Sequence, residues 1–297
     1  MLEKIKKMKR GEVIFQVLNY AFLTLLAIVT LYPFVYIFAV SFNESSDTLR
    51  GGIWIWPRVW SVQNYAEAFK DDRILNAFWI SISRTVLGTI VAVVLSATFA
   101  FGVLDKNLKG RKFFLKMIFF STLFSGGIIP TFILMRDLNL VDSYLIYIVP
   151  ALYSFYNMII IRSAFEAVPK SIEEAATIDG AGELRILFGM YIPLSMPAIA
   201  TIALFVGVFH WNDWFAGAFY VSSQNLKPAA TLLQEIIASA SSNGNVSDTI
   251  LGNAAQNVTP QSLQMAFVMI LVVPIVCVYP FLQKYFVKGT MIGGIKD

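Results

Sequence analysis

The chain has 297 residues, 57% of them hydrophobic and 14% charged, with a formal charge of +4 and a mean hydropathy of +0.66. A soluble domain carries about 45–50% apolar and about 25% charged residues, so the composition excludes an ordinary soluble protein and indicates an all-α integral membrane protein. The lone cysteine, Cys277, excludes an internal disulfide, the lone histidine, His210, excludes a His-based metal cluster, and there is no G-x-x-x-x-G-K-[ST] phosphate loop.

A membrane span needs roughly 20 apolar residues. The first candidate is 13–41, behind a basic segment at 1–12 and too long for a signal-peptide core. A polar stretch follows, with Trp54, Trp56 and Trp60 near its start, a residue type suited to a membrane–water interface. The second span is expected at 77–104. The third, 113–135, is interrupted by Ser125-Gly126-Gly127 and Pro130. The fourth is expected at 144–165, the fifth at 193–218 and the sixth at 262–286, with Pro274 and Pro280 inside it. Pro130, Pro274 and Pro280 are expected at packing or hinge positions. About six transmembrane helices result, with a tail at 287–297 and no internal repeat or soluble domain.

Lysine and arginine counts orient the chain. With the N-terminus inside, the inner segments hold 16 of these residues and the outer segments 6, leaving Arg84 within a span. Both termini, and the loop at 166–192, are therefore expected in the cytoplasm. The modest positive charge is that of such loops, not of a nucleic-acid binder.

The best-formed polar interruption is that loop. Ser171 followed by Glu174 has the S-x-x-E pattern of a capping box, and Glu173 and Glu174 add negative charge in the first turn. Ala175 and Ala176 are small enough for another surface to approach closely. Asp179-Gly180 reads as a helix stop. The spacing predicts a helix of about two turns, too short to stand alone: either a solvated hairpin or a contact surface for a partner.

Glu174-Ala175-Ala176, then Asp179-Gly180-Ala181, then Pro193, resembles the EAA loop of ABC importer membrane subunits; Met190 and Ile192 stand where the family usually has Ile and Leu. Asn64-Tyr65 and the tail from Lys288 to Lys296 resemble the carbohydrate-uptake branch related to the maltose permease, although the usual terminal Lys-Gly is Lys296-Asp297 here. Ser125 to Thr131 and His210 to Phe215 resemble the lipoprotein-associated and alginate-type oligosaccharide permeases. The resemblance implies a type I ABC importer permease fold over 13–286 in a prokaryotic cell membrane. It implies a non-catalytic subunit that binds no cofactor, ATP and Mg being held by partner subunits. The implied partners are a second, homologous permease subunit, two cytoplasmic ATPase subunits and an extracellular solute-binding protein. Ser171 to Ile178 would be the coupling helix docked on an ATPase, followed by a second short helix over 183–190.

A sugar path needs hydrogen-bonding groups and aromatic faces inside apolar spans. Trp211, Asn212 and Asp213 in the fifth span, and Tyr153, Tyr156 and Asn157 in the fourth, are the candidates; Trp and Tyr near a span end also serve as interface anchors. Arg84 and Asp213 are the charges expected within the membrane, where a charge needs a partner or a polar cavity. Their depths match, about eight and about five residues from the outer ends of their spans at ~1.5 Å per residue. They are expected to pair or to face one polar cavity; contact of Arg84 with the partner permease or with backbone carbonyls is the alternative. Competing readings are an importer subunit for another solute, a stand-alone secondary transporter or channel, and, remotely, a membrane enzyme.

Overall fold

The computed structural model describes residues 10–70, 72–241 and 258–292. Among these the chain is helical, with no strand and one isolated antiparallel bridge between Asn43 and Trp60. It forms two compact units: the N-terminal segment with Ile236–Ile270, and Asp72–Glu235 with the chain from Leu271 onward. The basic residues Lys4 to Lys9, the serine-rich stretch beyond Ser241 and the end of the tail beyond Ile292 lie outside the described residues.

In the first unit, α1 (Arg10–Ser41) is followed by short helices α2 (Ser45–Thr48) and α3 (Gln63–Ala68). The second unit is built on α4 (Asp72–Gly102), followed by α5 (Arg111–Thr122), α6 (Ile128–Asp137), two 3₁₀ turns at Tyr144–Tyr147 and Val149–Ala151, and α7 (Phe155–Glu166). Next come α8 (Lys170–Ile178), α9 (Glu183–Leu194, with a π-turn at Leu187–Tyr191), α10 (Met196–Asn212) and α11 (Phe215–Tyr220). Two helices, α12 (Ala229–Ser241) and α13 (Pro260–Ile292), complete the chain.

Three helices among the described residues are long and apolar enough to cross a membrane: α1, α4 and the 260–278 part of α13. The remaining apolar runs are not the continuous spans their hydropathy suggests. The third is two helices of 12 and 10 residues, separated where Gly127 takes φ +83°. Pro130 is therefore in the first turn of α6, where its missing N–H costs nothing, not at a kink. The fourth bends by 52° between the 3₁₀ turns and α7, where Pro150 prevents a regular ladder. The fifth bends by 87° between α9 and α10, at Ser195 between Pro193 and Pro197, and breaks again after Asn212. Hydropathy reports how favourably side chains leave water and carries no information on whether the helical ladder is continuous.

The second unit is assembled on one face of α4. Its buried positions include Ala77, Ser81, Arg84, Gly88, Ala92, Ser96 and Ala100, recurring every three or four residues. All but Arg84 are small, which is how membrane helices come close without a hydrophobic driving force. The closest approach is at Gly88, where a Cβ would lie 2.4 Å from Nε2 of the buried His210. Gly207 answers from α10, with space for little beyond Thr89 Oγ1 at 3.4 Å. One end of α4 packs with Met158, Ile161, Phe165, Ala176, Ile186, Leu187 and Tyr191 in an apolar core. Near its other end, Ile80 joins Met135, Leu140, Tyr147 and Tyr220.

A carboxylate clamp closes this second cluster. Asp142, in the left-handed conformation (φ +56°), accepts from the backbone N–H groups of Ser222 (3.0 Å) and Ser223 (2.8 Å) and from the Ser223 hydroxyl (2.7 Å). Its own N–H donates to the Tyr220 carbonyl, 2.8 Å away. The Ser223 N–H and hydroxyl bonds hold its carboxyl below the usual carboxylate range.

Two outcomes follow from this packing. Gly88→Ala drives a methyl into the His210 ring and lowers stability by about 1–3 kcal/mol, whereas Gly102→Ala, with open space around it, does not; thermal unfolding of the purified protein separates them. A depressed folded-state pKa means that the Asp142 contribution is fully present above the unfolded carboxylate value and is lost as pH falls through the folded one. Asp142→Asn therefore flattens the acid limb of the melting-temperature profile and leaves its neutral-to-alkaline limb parallel to wild type.

Candidate functional site

The loop helix α8 forms where the sequence places it, two residues earlier than the capping pattern implies. Pro169 is the N-cap (φ −61°, ψ 129°), Lys170 opens the helix, and no side chain caps it. The reciprocal Ser171–Glu174 box is not made, because proline's fixed φ starts the helix ahead of Ser171 and its carbonyl takes the Ile172 N–H at 3.1 Å. Ser171 and Glu174 are both exposed instead. The stop is as expected. Gly180 sits at φ +79°; its N–H reaches the Thr177 carbonyl (3.0 Å) and the Ala181 N–H reaches that of Ala176 (2.9 Å). This paired closure is a Schellman motif and requires glycine at the left-handed position.

Only one face of α8 is held. Ala176 is buried in the apolar core with Ala181 packed against it, while Ala175 and Asp179 are exposed. Glu173 accepts a 2.6 Å hydrogen bond from the Tyr191 hydroxyl. The Tyr191 ring is buried against Phe101 and Phe165, with centroids at 5.1 and 5.3 Å. This strap ties the loop helix to α9, which leads through the exposed Pro193 into the 87° bend. By sequence Glu173 suits the helix dipole, and nothing in the pattern joins it to a tyrosine 18 residues away. The outer face carries Ile178 at 86% exposure and Leu184 at 68%. Ile178 on α8 and Leu184 on α9 are thus apolar side chains left in the open, in a loop whose Glu174 and Asp179 are exposed as well. The second short helix, expected at 183–190, runs on to Leu194 because the π-turn absorbs an extra residue.

Arg84 and Asp213 do pair. Arg84 is fully buried on α4, with Nη1 at 3.5 Å from Asp213 Oδ2. Its Nη2 donates to the Asp213 backbone carbonyl, and the guanidinium carbon lies 4.9 Å from the centre of the Tyr147 ring. Both expected alternatives, carboxylate and backbone carbonyl, are thus met by one residue. Asp213 is where the helix stops: its φ/ψ of −68°/106° are extended, and its Oδ1 accepts from the Phe215 (3.1 Å) and Ala216 (3.3 Å) N–H groups, capping α11. Its side chain is part of the machinery of a helix break.

The other path candidates do not converge on one point. Trp211 is half-buried, its Nε1–H donating to the Leu271 carbonyl at 3.2 Å, and its ring lies 6.5 Å from Phe78. Asn212 is exposed beside it. Tyr153 borders an open cleft of about 580 Å³ with Phe119, Ser121, Thr122, Ser154 and Tyr156. The Tyr153 ring meets Phe99 edge-on at 5.1 Å, and its hydroxyl is buried with no partner among the described residues. Asn157 is half-buried near the start of α7, its N–H capped by Ser154 Oγ at 3.4 Å.

Residues 2–292 match the family described as "binding-protein-dependent transport system inner membrane component". A polygalacturonan/rhamnogalacturonan transport system permease protein of Bacillus subtilis is 36% identical over 95% of this chain and 98% of its own. Protein LplC of the same organism is 36% identical over 97% and 96%. An arabinooligosaccharides transport system permease protein of Halalkalibacterium halodurans is 27% identical over 94% and 95%. Among solved structures, a chain of a bacterial ABC transporter involved in the import of the acidic polysaccharide alginate matches with a TM-score of 0.86 and 30% identity, over 94% of this chain and 99% of that one.

The ion pair sets an order of severity. Arg84→Met strands both the carboxylate and a free carbonyl and destabilises the protein by about 3–5 kcal/mol. Asp213→Asn keeps the carbonyl acceptor and a side-chain oxygen for capping, so it costs less. Reversible unfolding in mixed micelles ranks them, with the double variant losing less than the sum of the two.

Proposed function

The chain belongs to the binding-protein-dependent transport system inner membrane component family, and from that premise we propose how it works as an importer subunit. It is a non-catalytic membrane permease of an ABC transporter with the type I importer fold. Its cargo is a sugar or oligosaccharide: relatives named for polygalacturonan, rhamnogalacturonan and arabinooligosaccharides, and the fold shared with the alginate importer chain, support this class. The second unit forms half of a translocation path, with Tyr153 and Asn157 on one wall and Trp211 and Asn212 at the break in the fifth apolar run. Arg84 and Asp213 serve this path by fixing the break.

The observation that carries the mechanism is the strapped, half-exposed helix α8. Ser171, Glu174, Ala175, Asp179, Gly180 and Ile178 form a preformed knob on the cytoplasmic side, seated in a groove of an ATPase subunit. Two such ATPase subunits, a second homologous permease and an external solute-binding protein complete the complex. ATP and Mg are held by the ATPase pair, whose closure on ATP draws the two permease knobs together. Ala176 and the Glu173–Tyr191 bond pass that movement to α9 and α10, so that the path opens alternately to either side.

The test uses the chain purified with its co-assembled subunits and lipid. Ile178→Asp, at an 86% exposed position, is expected to leave thermal stability unchanged while abolishing sugar-stimulated ATP hydrolysis. Gly180→Pro, which removes the left-handed residue and its N–H, is expected to lose both coupling and assembly. Normal complex assembly with normal stimulated hydrolysis in both variants is the result that refutes the coupling role.

A further inference from the structure

The segment after α1, within the first unit, holds a surface that the transport reading leaves unused. Its base is a knot of buried polar groups. Asn43 accepts from the Arg58 and Val59 N–H groups (2.9 and 3.0 Å) and donates to Asp47 Oδ2 (3.1 Å) and Thr48 Oγ1 (3.0 Å). Asn64 donates to the carbonyls of Ser41 (2.8 Å) and Asn43 (2.9 Å) and accepts the Ser45 hydroxyl (2.7 Å). Arg58 closes the loop, donating to Asp47 Oδ2 at 3.0 Å and to the Gly51 carbonyl at 2.7 Å. Gly51 and Gly52, both with positive φ, turn the chain over this base. Polar groups paired on every side fix a single conformation.

What the base holds up is apolar. Trp54, Ile55 and Trp56 are 67%, 62% and 64% exposed. Ordering a loop costs about 1–2 kcal/mol per residue, and showing indoles to water recovers none of it. A chain of rings joins this tip to the membrane helix. Phe38, in the last turn of α1, and Phe42, just past its end, lie 6.2 and 5.8 Å from Trp60, and Trp60 lies 5.2 Å from Trp56. Along α1 itself Ile28, Leu31 and Phe34 are exposed, so the tip continues the surface of a membrane-spanning helix. From Leu49 to Trp60 there are two arginines and no carboxylate, and indole settles at the level of lipid headgroups.

We propose that Trp54-Ile55-Trp56 is a rigid interfacial anchor that inserts at the headgroup–acyl boundary beside α1 and fixes the depth and tilt of that span. Interfacial Trp residues and packing set helix tilt, not hydrophobic length, and α1, with 32 residues, is longer than a span requires.

The test uses the full-length chain with its co-assembled subunits in lipid nanodiscs. In a Cys277→Ser background, a nitroxide at Trp56→Cys is expected to collide severalfold more often with oxygen than with a water-soluble nickel chelate, and a nitroxide at the exposed Ser46→Cys is expected to show the reverse. Nickel accessibility at position 56 equal to that at position 46 overturns the proposal. So does protection that arises only when a solute-binding protein is added, which makes the tip a protein-docking surface. Independently of labelling, Trp54→Ser with Trp56→Ser is expected to reduce quenching of tryptophan emission by brominated lipid; unchanged quenching also overturns it.

Discussion

A helix that stops in apolar surroundings leaves carbonyls with nothing to accept from, and the second unit depends on how one such stop is satisfied. The Asp213 carbonyl at the end of α10 takes a guanidinium N–H from Arg84, and the same guanidinium faces the Asp213 carboxylate. The carboxylate in turn caps the first turn of α11. One buried cation thus answers a free acceptor, a charge and, through Asp213, two free donors. Charge burial of this kind is costly; here the cost is offset because each partner has a second duty in the backbone break.

The small-residue face of α4 makes that arrangement reachable. With Gly88 under His210 and Gly207 beside Thr89, the α4 and α10 backbones lie close enough for a side chain on one to meet the end of the other. The same helix borders both apolar clusters, one holding α7, α8 and α9 and the other gathering Leu140, Tyr147 and Tyr220 around the Asp142 clamp. Loop helix and helix break are therefore features of one packed body.

The parts that sequence made legible are those governed by local rules or by depth. Gly180 ends α8 because the left-handed position excludes a side chain, and the dipeptide Asp179-Gly180 announces it. Arg84 and Asp213 were matched by counting residues from span ends, since a charge in lipid must find its counterpart at equal depth. The interruption at Ser125-Gly126-Gly127 was visible for the same local reason as Gly180. The bends at Pro150 and Ser195 and the stop at Asn212 were not visible as breaks, because apolar runs record transfer from water and not continuity of the ladder. The cap moved from Ser171 to Pro169 because the four-residue pattern names two compatible side chains and carries no information on where helical φ begins. The Tyr191 strap was hidden by tertiary distance, and α12 by a stretch whose polar flanks read as loop.

The right-angle turn at Ser195 has a mechanical consequence. The arm beyond it, α10, has 17 residues and so spans about 25 Å at ~1.5 Å per residue. A crank of that geometry converts a sideways push on its short arm into rotation of its long one: a tilt of about 10° sweeps the far end through ~4 Å at that length. The far end is Asn212, next to the residue that Arg84 pins. Displacement delivered near Tyr191 therefore arrives, magnified and redirected, at the backbone junction that the Arg84–Asp213 pair holds.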